Sequence, residues 1–399
     1  LEMVYPTTIP REEELNKELK LFASLGEYEP VAFGIRALRE LKSVNLELSD
    51  LITKEGGKIT KKLIDVRISR YGRYRTGSSW GFDYVTIPKI LDRVEQVDVP
   101  KDTTRQFWLT VKVPEDAKPG EYRGQVTVSA ENTEPSTLPL KLIVLPIHLK
   151  TPKNKLLGMY WAGWIEEVLY SEEDKEKEHR YVRYIMDNDD LRMQLADMQE
   201  HGIHAVDINL LPEIREEDGK IVLDFTQLDK LMDDLKHFGM DGPMPYWAVT
   251  RLPVLITERF RNRDPDETYR FIVKSIYEHG VEEDWPPLLF YPVDEIGNSP
   301  ELLMEAEKRC RLIKEVPGAK TYITVNSFEA GRKIGRYIDY WCVNIPITKE
   351  QEREILDSGH VYLRYGNAFN NNSRTSRTSS GFGFWKRPAV VFYYWHYQW

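Results

Sequence analysis

From residue 156 to the end of the chain, short apolar runs rich in β-branched and aromatic residues alternate with stretches of helical periodicity. A strand that must be buried on both faces reads as such a run, and strands separated by helices call for parallel β/α units rather than hairpins. The runs fall at 156–161, 205–210, 244–249, 288–293, 321–325, 338–343, 361–365 and 389–395. Eight is the number that a closed parallel barrel needs. Between them, Leu228, Leu231, Met232, Leu235 and Phe238 form an apolar helical stripe that Thr226 is placed to cap and Gly239 to close. Ser299-Pro300 opens a second helix with Leu302, Leu303, Ala306, Cys310 and Ile313 inward, ended by Pro317-Gly318. This sequence ends at Trp399 just after the eighth run, so the last barrel helix is expected to be missing from it.

The first 150 residues carry a different pattern, of alternating strands broken by turn residues. Residues 31–36, 45–48, 65–69, 106–113, 124–129 and 140–146 read as strands, with Pro119-Gly120 marking a tight turn. Such a series predicts an antiparallel β-sandwich. The polar stretch 150–155 then suits a boundary, so the expectation is a sandwich over 1–150 followed by a (β/α)8 barrel over 151–399.

Composition narrows the partners. A net charge of −9 argues against nucleic acid, whose phosphates need a basic surface. No run of 18 or more apolar residues predicts a membrane span. The two cysteines, Cys310 and Cys342, sit in apolar patterns and indicate neither a disulfide framework nor a metal site, and no cofactor motif is present. The 10 Trp and 22 Tyr are numerous enough to supply sugar-stacking rings as well as core.

In a parallel barrel the reactive groups sit where strands pass into their following loops. The fourth run ends in Asp294-Glu295, whereas the fifth, sixth and seventh end at Asn326, Asn344 and Asn367. A glycosidase with two separated carboxyl groups needs a second acid across the bond, and only Asp207 in the second run offers one. Adjacent carboxylates suit a different chemistry, in which the 2-acetamido oxygen of an N-acetylhexosamine is the nucleophile. Glu295 would then protonate the leaving oxygen and later deprotonate water, while Asp294 orients the acetamido group. The alternative is that the pair merely caps the helix beginning near Pro300.

The string Phe290-Tyr-Pro-Val-Asp-Glu resembles the strand-four motif of the family 123 glycoside hydrolases, β-N-acetylgalactosaminidases using substrate-assisted catalysis, and of their barrel relatives. Gly26-Glu-Tyr-Glu-Pro-Val-Ala-Phe and Val113-Pro-Glu-Asp-Ala-Lys-Pro-Gly-Glu-Tyr-Arg-Gly are similar to that group's N-terminal domain, and Gly381-Phe-Gly-Phe-Trp-Lys and Phe392-Tyr-Tyr-Trp-His-Tyr to its last barrel segment. The resemblance implies Asp294 as the acetamido-orienting residue, Glu295 as the acid/base, N-acetylgalactosamine as the favoured sugar and an extracellular or periplasmic setting.

Substrate contacts are expected from Trp161, Trp164, Tyr246, Tyr291 and Trp395 by stacking, and from Asn326, Asn344 and Asn367 through hydrogen bonds, each with a core or turn role as the alternative. From Ser358 to Trp399 there is no Asp or Glu, while Arg364, Arg374, Arg377, Lys386 and Arg387 fall there. That points to an oligosaccharide or polysaccharide carrying uronate or sulfate, with Arg377 as a contact, or else to a solvated basic loop. Two rivals stay open: hydrolysis of a glycan without the acetamido group, using Asp207, and a barrel that binds glycans without cleaving them.

Overall fold

The computed structural model describes residues 3–15, 17–78, 81–150, 152, 154–161, 188–367 and 378–397. Two compact units divide the described chain between residues 150 and 152.

The first unit is built from strands β1 (Leu19–Leu25), β2 (Tyr28–Arg36), β3 (Leu41–Leu48), β4 (Leu51–Ile52), β5 (Lys58–Ile59), β6 (Ile64–Ser78), β7 (Gly81–Asp92), β8 (Val97–Val99), β9 (Thr104–Lys112), β10 (Gly120–Ala130) and β11 (Thr133–His148). One sheet runs β1-β11-β10-β3-β8 with β4 and β5 attached, and the other runs β2-β9-β6-β7. The alternation read at 106–113 becomes the inner face of β9, where Phe107, Leu109 and Val111 are wholly buried. Leu109 and Val111 share one apolar core with Val126, Leu140 and Leu142 of the other sheet. Pairing is antiparallel with one departure: β1 lies parallel to β11, Leu19 opposite Leu140. Parallel neighbours need a long connection, and most of the unit lies between these two strands in sequence.

The second unit carries β12 (Leu156–Met159), β13 (Ile203–Val206), the hairpin β14 (Glu213–Glu217) and β15 (Lys220–Asp224), then β16 (Met244–Tyr246), β17 (Leu288–Phe290), β18 (Lys320–Val325), β19 (Tyr340–Val343), β20 (Val361–Asn367) and β21 (Val391–Trp395). Without the hairpin these strands form an eight-stranded sheet in the order β13-β12-β21-β20-β19-β18-β17-β16. Every neighbouring pair described in it is parallel, and a parallel bridge from Ile208 to Tyr246 joins the two end strands, leaving the sheet nearly closed. All eight strands fall within or across the apolar runs of the sequence.

Strand periodicity sorts this unit into two layers. Tyr160, Ala205, Leu289, Tyr291, Tyr322, Cys342, Leu363, Val391 and Tyr393 make one cluster inside the sheet. Their immediate neighbours, including Val206, Tyr246, Phe290, Ile323, Trp341 and Phe392, pack outward against the helices. Gly158 is required on the inner face, because a Cβ there would lie 2.4 Å from the Tyr393 ring. Helix Pro300–Lys314 begins as expected, with Ser299 accepting the backbone N–H of Leu302. Helix Thr226–His237 does not: Thr226 is its first residue, and Asp224 accepts the Thr226 N–H at 2.9 Å, so the cap comes from an Asp two residues earlier. No described helix is long and apolar enough to cross a membrane, and no group of three or more His, Cys, Asp or Glu that could hold a metal occurs among the described residues.

Candidate functional site

Ser299 supplies the cap of the helix after β17, so Asp294 and Glu295 are left with another task. They lie on the turn that follows β17, and the end of the next strand, β18, holds that turn. Thr324 shares the inward face of β18 with Tyr322, and Asn326, just past the strand's end, continues the same spacing of two. The Thr324 hydroxyl donates to Asp294 Oδ1 and accepts the backbone N–H of Glu295 at 2.8 Å. Two residues on, Asn326 Oδ1 accepts the Gly297 N–H at 2.7 Å, and its Nδ2 donates to Asn298 Oδ1 at 2.6 Å. Glu295 adopts φ +45°, a left-handed conformation that costs a non-glycine residue about 1 kcal/mol. The bonds from Thr324, together with Asn298 N–H to the Glu295 carbonyl at 3.0 Å, offset that cost.

Each carboxyl group has its own partners. Tyr291, just past β17, donates to Asp294 Oδ1 at 2.5 Å, alongside Thr324, and no described contact occupies Oδ2. Glu295 Oε1 accepts from Asn344 Nδ2 and from the Tyr365 hydroxyl, both at 2.7 Å. Its Oε2 accepts from Asn298 Nδ2 at 3.2 Å. Asn344 also donates to the Tyr365 oxygen at 2.8 Å, which ties the ends of β19 and β20 into the same network. Burial and, second, the carboxylate it serves push the Tyr365 hydroxyl well above its usual ionisation, so it stays a donor.

Asp207 lies on the inward face just past β13 and is 8% exposed. Its carboxylate accepts the Trp161 backbone N–H, yet burial outweighs that bond and raises the pKa to about 7. A wall of rings continues from this side: Tyr160 lies 5.5 Å from Tyr365 and 5.4 Å from Trp395, centroid to centroid. Trp395 is 42% exposed and presents an accessible aromatic surface.

Four expected contacts need correction. Tyr246 is wholly buried in the helix layer, its hydroxyl donating to the Leu210 carbonyl at 2.9 Å. Trp161 packs in the same layer, with Nε1 donating to Gln194 at 2.7 Å. At both strand ends the neighbouring residue, Trp247 or Tyr160, packs with the inner cluster instead. Tyr291 is buried and holds Asp294 rather than exposing a stacking face. Asn326 is committed to the turn, whereas Asn344 does reach the pair through Glu295. Trp164 and Arg377 lie outside the described residues, and so does the Asn367 side chain; the Asn367 backbone pairs with Trp395. Thr324, Tyr365 and Asn298 were not picked out from sequence. The first two carry a signal that would have found them, the inward parity of their strands.

The glycoside hydrolase 123 N-terminal domain profile matches residues 4–130. Among solved structures, a family 123 glycoside hydrolase from Clostridium perfringens, described for glycolipid glycan hydrolysis, is 14% identical with a TM-score of 0.70, covering 95% of this chain and 74% of its own. A family 39 glycoside hydrolase from Bacteroides cellulosilyticus WH2 (12% identity, 95% and 74% coverage) and a Bacteroides ovatus GH5 xyloglucanase (9%, 96% and 92%) reach TM-scores of only 0.37 and 0.33, too low to carry an argument. A search of curated protein sequences finds no match. The chain thus resembles the family 123 glycoside hydrolases, in sequence over that N-terminal segment and in fold along most of its length.

Proposed function

We propose that the chain is a retaining glycoside hydrolase that cleaves β-linked N-acetylhexosaminides, N-acetylgalactosaminides in particular, by substrate-assisted catalysis. On this reading the nearly closed sheet is a (β/α)8 barrel preceded by a β-sandwich, and the site lies at the barrel's C-terminal face. One observation carries it: two consecutive carboxyl groups share one turn yet are fixed by separate donor sets, Tyr291 and Thr324 on one, Asn344, Tyr365 and Asn298 on the other.

Asp294 Oδ2 accepts the acetamido N–H, which turns the amide oxygen toward the anomeric carbon. That oxygen forms a bond to the carbon as the glycosidic C–O bond breaks, and the proton of Glu295 passes to the departing oxygen. The product is an oxazolinium ion, whose positive charge lies beside Asp294. Glu295, now a carboxylate, takes a proton from water as the water oxygen bonds to the anomeric carbon, and the ring opens with the original configuration restored. Trp395 offers a stacking surface for the sugar.

The test is hydrolysis of aryl N-acetyl-β-galactosaminide beside aryl β-galactoside. The reading expects turnover of the first alone, lost in Glu295→Gln. Equal turnover of both, or full activity in Glu295→Gln, overturns it. The inward Asp207, whose pKa burial raises to about 7, favours one second reading, a two-carboxylate mechanism, and only that reading expects β-galactoside cleavage abolished by Asp207→Asn.

A further inference from the structure

The two oxygens of Glu295 are not equivalent. Oε1 is occupied on the inner side by two strong donors, Asn344 Nδ2 and the Tyr365 hydroxyl, each at 2.7 Å. A carboxyl oxygen that already accepts two short hydrogen bonds is a poor place for a proton. Oε2 carries one longer bond, from Asn298 Nδ2 at 3.2 Å, and is the oxygen with room to give a proton up. Asn298 is exposed on the turn, but its amide is not free to rotate: Asn326 Nδ2 grips its Oδ1 at 2.6 Å, and Asn326 is in turn anchored by the Gly297 N–H. Holding Oδ1 there directs Nδ2 at Glu295.

Resting on the acid/base reading of Glu295, we propose that Asn298, held by Asn326, is a positioning residue that makes Oε2 the proton-exchanging oxygen of Glu295. The proton on Oε2 moves to the leaving oxygen, and the carboxylate left behind gains the Asn298 N–H bond as its charge appears. Asn298 therefore favours the ionised form, and losing it favours the protonated one. The titratable groups facing Glu295 are Asp294 on its own turn and Tyr365 from β20, with Tyr291, just past β17, bonded to Asp294. No Lys or Arg pairs with either carboxylate among the described residues. The asparagine is thus a donor whose removal has no cation to mask it.

The full chain, labelled with carbon-13 at glutamate side-chain carboxyls, is titrated by NMR, the Glu295 signal being the one that Glu295→Gln removes. Asn298→Ala is expected to raise the Glu295 midpoint by about half a pH unit, and Asn298→Asp, which keeps the Asn326 contact but adds a like charge, by about one unit or more. Asn326→Ala, which also removes the acceptor of the Gly297 N–H, should raise the midpoint at least as far as Asn298→Ala, and adding Asn298→Ala to it should raise the midpoint no further, because the relay is already broken. In turnover, the basic limb of the kcat/KM profile should move to higher pH in step, with KM held within about twofold. A Glu295 midpoint unchanged in Asn298→Ala, or one that Asn298→Ala raises as much in the Asn326→Ala background as in the wild type, overturns the proposal. Activity retained in Glu295→Gln would instead sink the acid/base reading, while the titration still reports on the relay.

Discussion

The Thr324 hydroxyl touches both halves of the acidic pair, donating to Asp294 Oδ1 and accepting the Glu295 backbone N–H at 2.8 Å. One side chain on β18 thus fixes the orientation of one carboxylate and the left-handed backbone of the other. Thr324→Val keeps the shape and removes both bonds. A hydrogen bond to a charged group contributes about 1.5–3 kcal/mol, so kcat should fall about 10- to 100-fold with KM little changed. Thr324→Ser, which keeps the hydroxyl, should restore most of the rate. Steady-state kinetics on the N-acetyl-β-galactosaminide checks this, and a Val variant at wild-type kcat would refute it.

Burial pushes Asp207 from 3.8 up to about 7, the Trp161 N–H opposing it only in part. The folded chain therefore holds a proton that the unfolded chain releases from about pH 4 upward. The stability this group permits is complete below that value and is lost as pH rises through about 7. At about 1.4 kcal/mol per pH unit the full span is about 4 kcal/mol. Asp207→Asn keeps an acceptor for the Trp161 N–H and cannot ionise. Urea unfolding at pH 5 and pH 8.5 should show the variant gaining on the wild type by about 3 kcal/mol at the higher pH, the part of the span that lies above pH 5, and parallel curves would contradict burial as the cause of the shift.

Much of this architecture was legible because parallel strands buried on both faces have few ways to be written. The runs from 156 to 395 mark each strand of the eight-stranded sheet, though not the hairpin β14-β15, and Asp294-Glu295 stands out as the acidic strand end. What composition and position could not supply was the facing of individual side chains. Tyr246 and Trp161 were assigned to the mouth, yet each is one residue from the inward position, and a shift of one residue along a strand moves a side chain to the other face. Tyr365 and Thr324 have the right parity but ordinary chemistry, so only the contacts to Glu295 and Asp294 mark them. Asn298 lies in a turn, where no periodicity applies.

That sorting by face gives a paired expectation. Tyr246→Phe leaves the Leu210 carbonyl unpaired in the helix layer and should destabilise by about 1–2 kcal/mol in thermal unfolding, with kcat and KM unchanged. Trp395→Ala, at an exposed ring beside Tyr160, should raise KM about 10-fold with little loss of stability, as expected for a lost stacking surface of about 1.4 kcal/mol. A KM change in Tyr246→Phe, or none in Trp395→Ala, would reverse the assignment.

Gly297 tests the turn itself. A Cβ there would lie 2.5 Å from Ser327 Cβ and 2.7 Å from Asn326 Oδ1, closer than packed atoms approach. Ser327 has little room to yield, because it opens helix Phe328–Ile334 by accepting the Ala330 N–H. In Gly297→Ala the turn must move instead, which stretches the Asn326 bond to the Gly297 N–H and displaces both carboxylates. Overpacking of this kind costs about 1–3 kcal/mol, and a shift of the acidic pair should cost kcat about 100-fold or more. Gly381→Ala is the control, since nothing lies within 4 Å of its added Cβ, and it should leave stability within about 0.5 kcal/mol. If Gly297→Ala matches Gly381→Ala in both melting temperature and kcat, the turn is not the rigid mount that holds Asp294 and Glu295 in register.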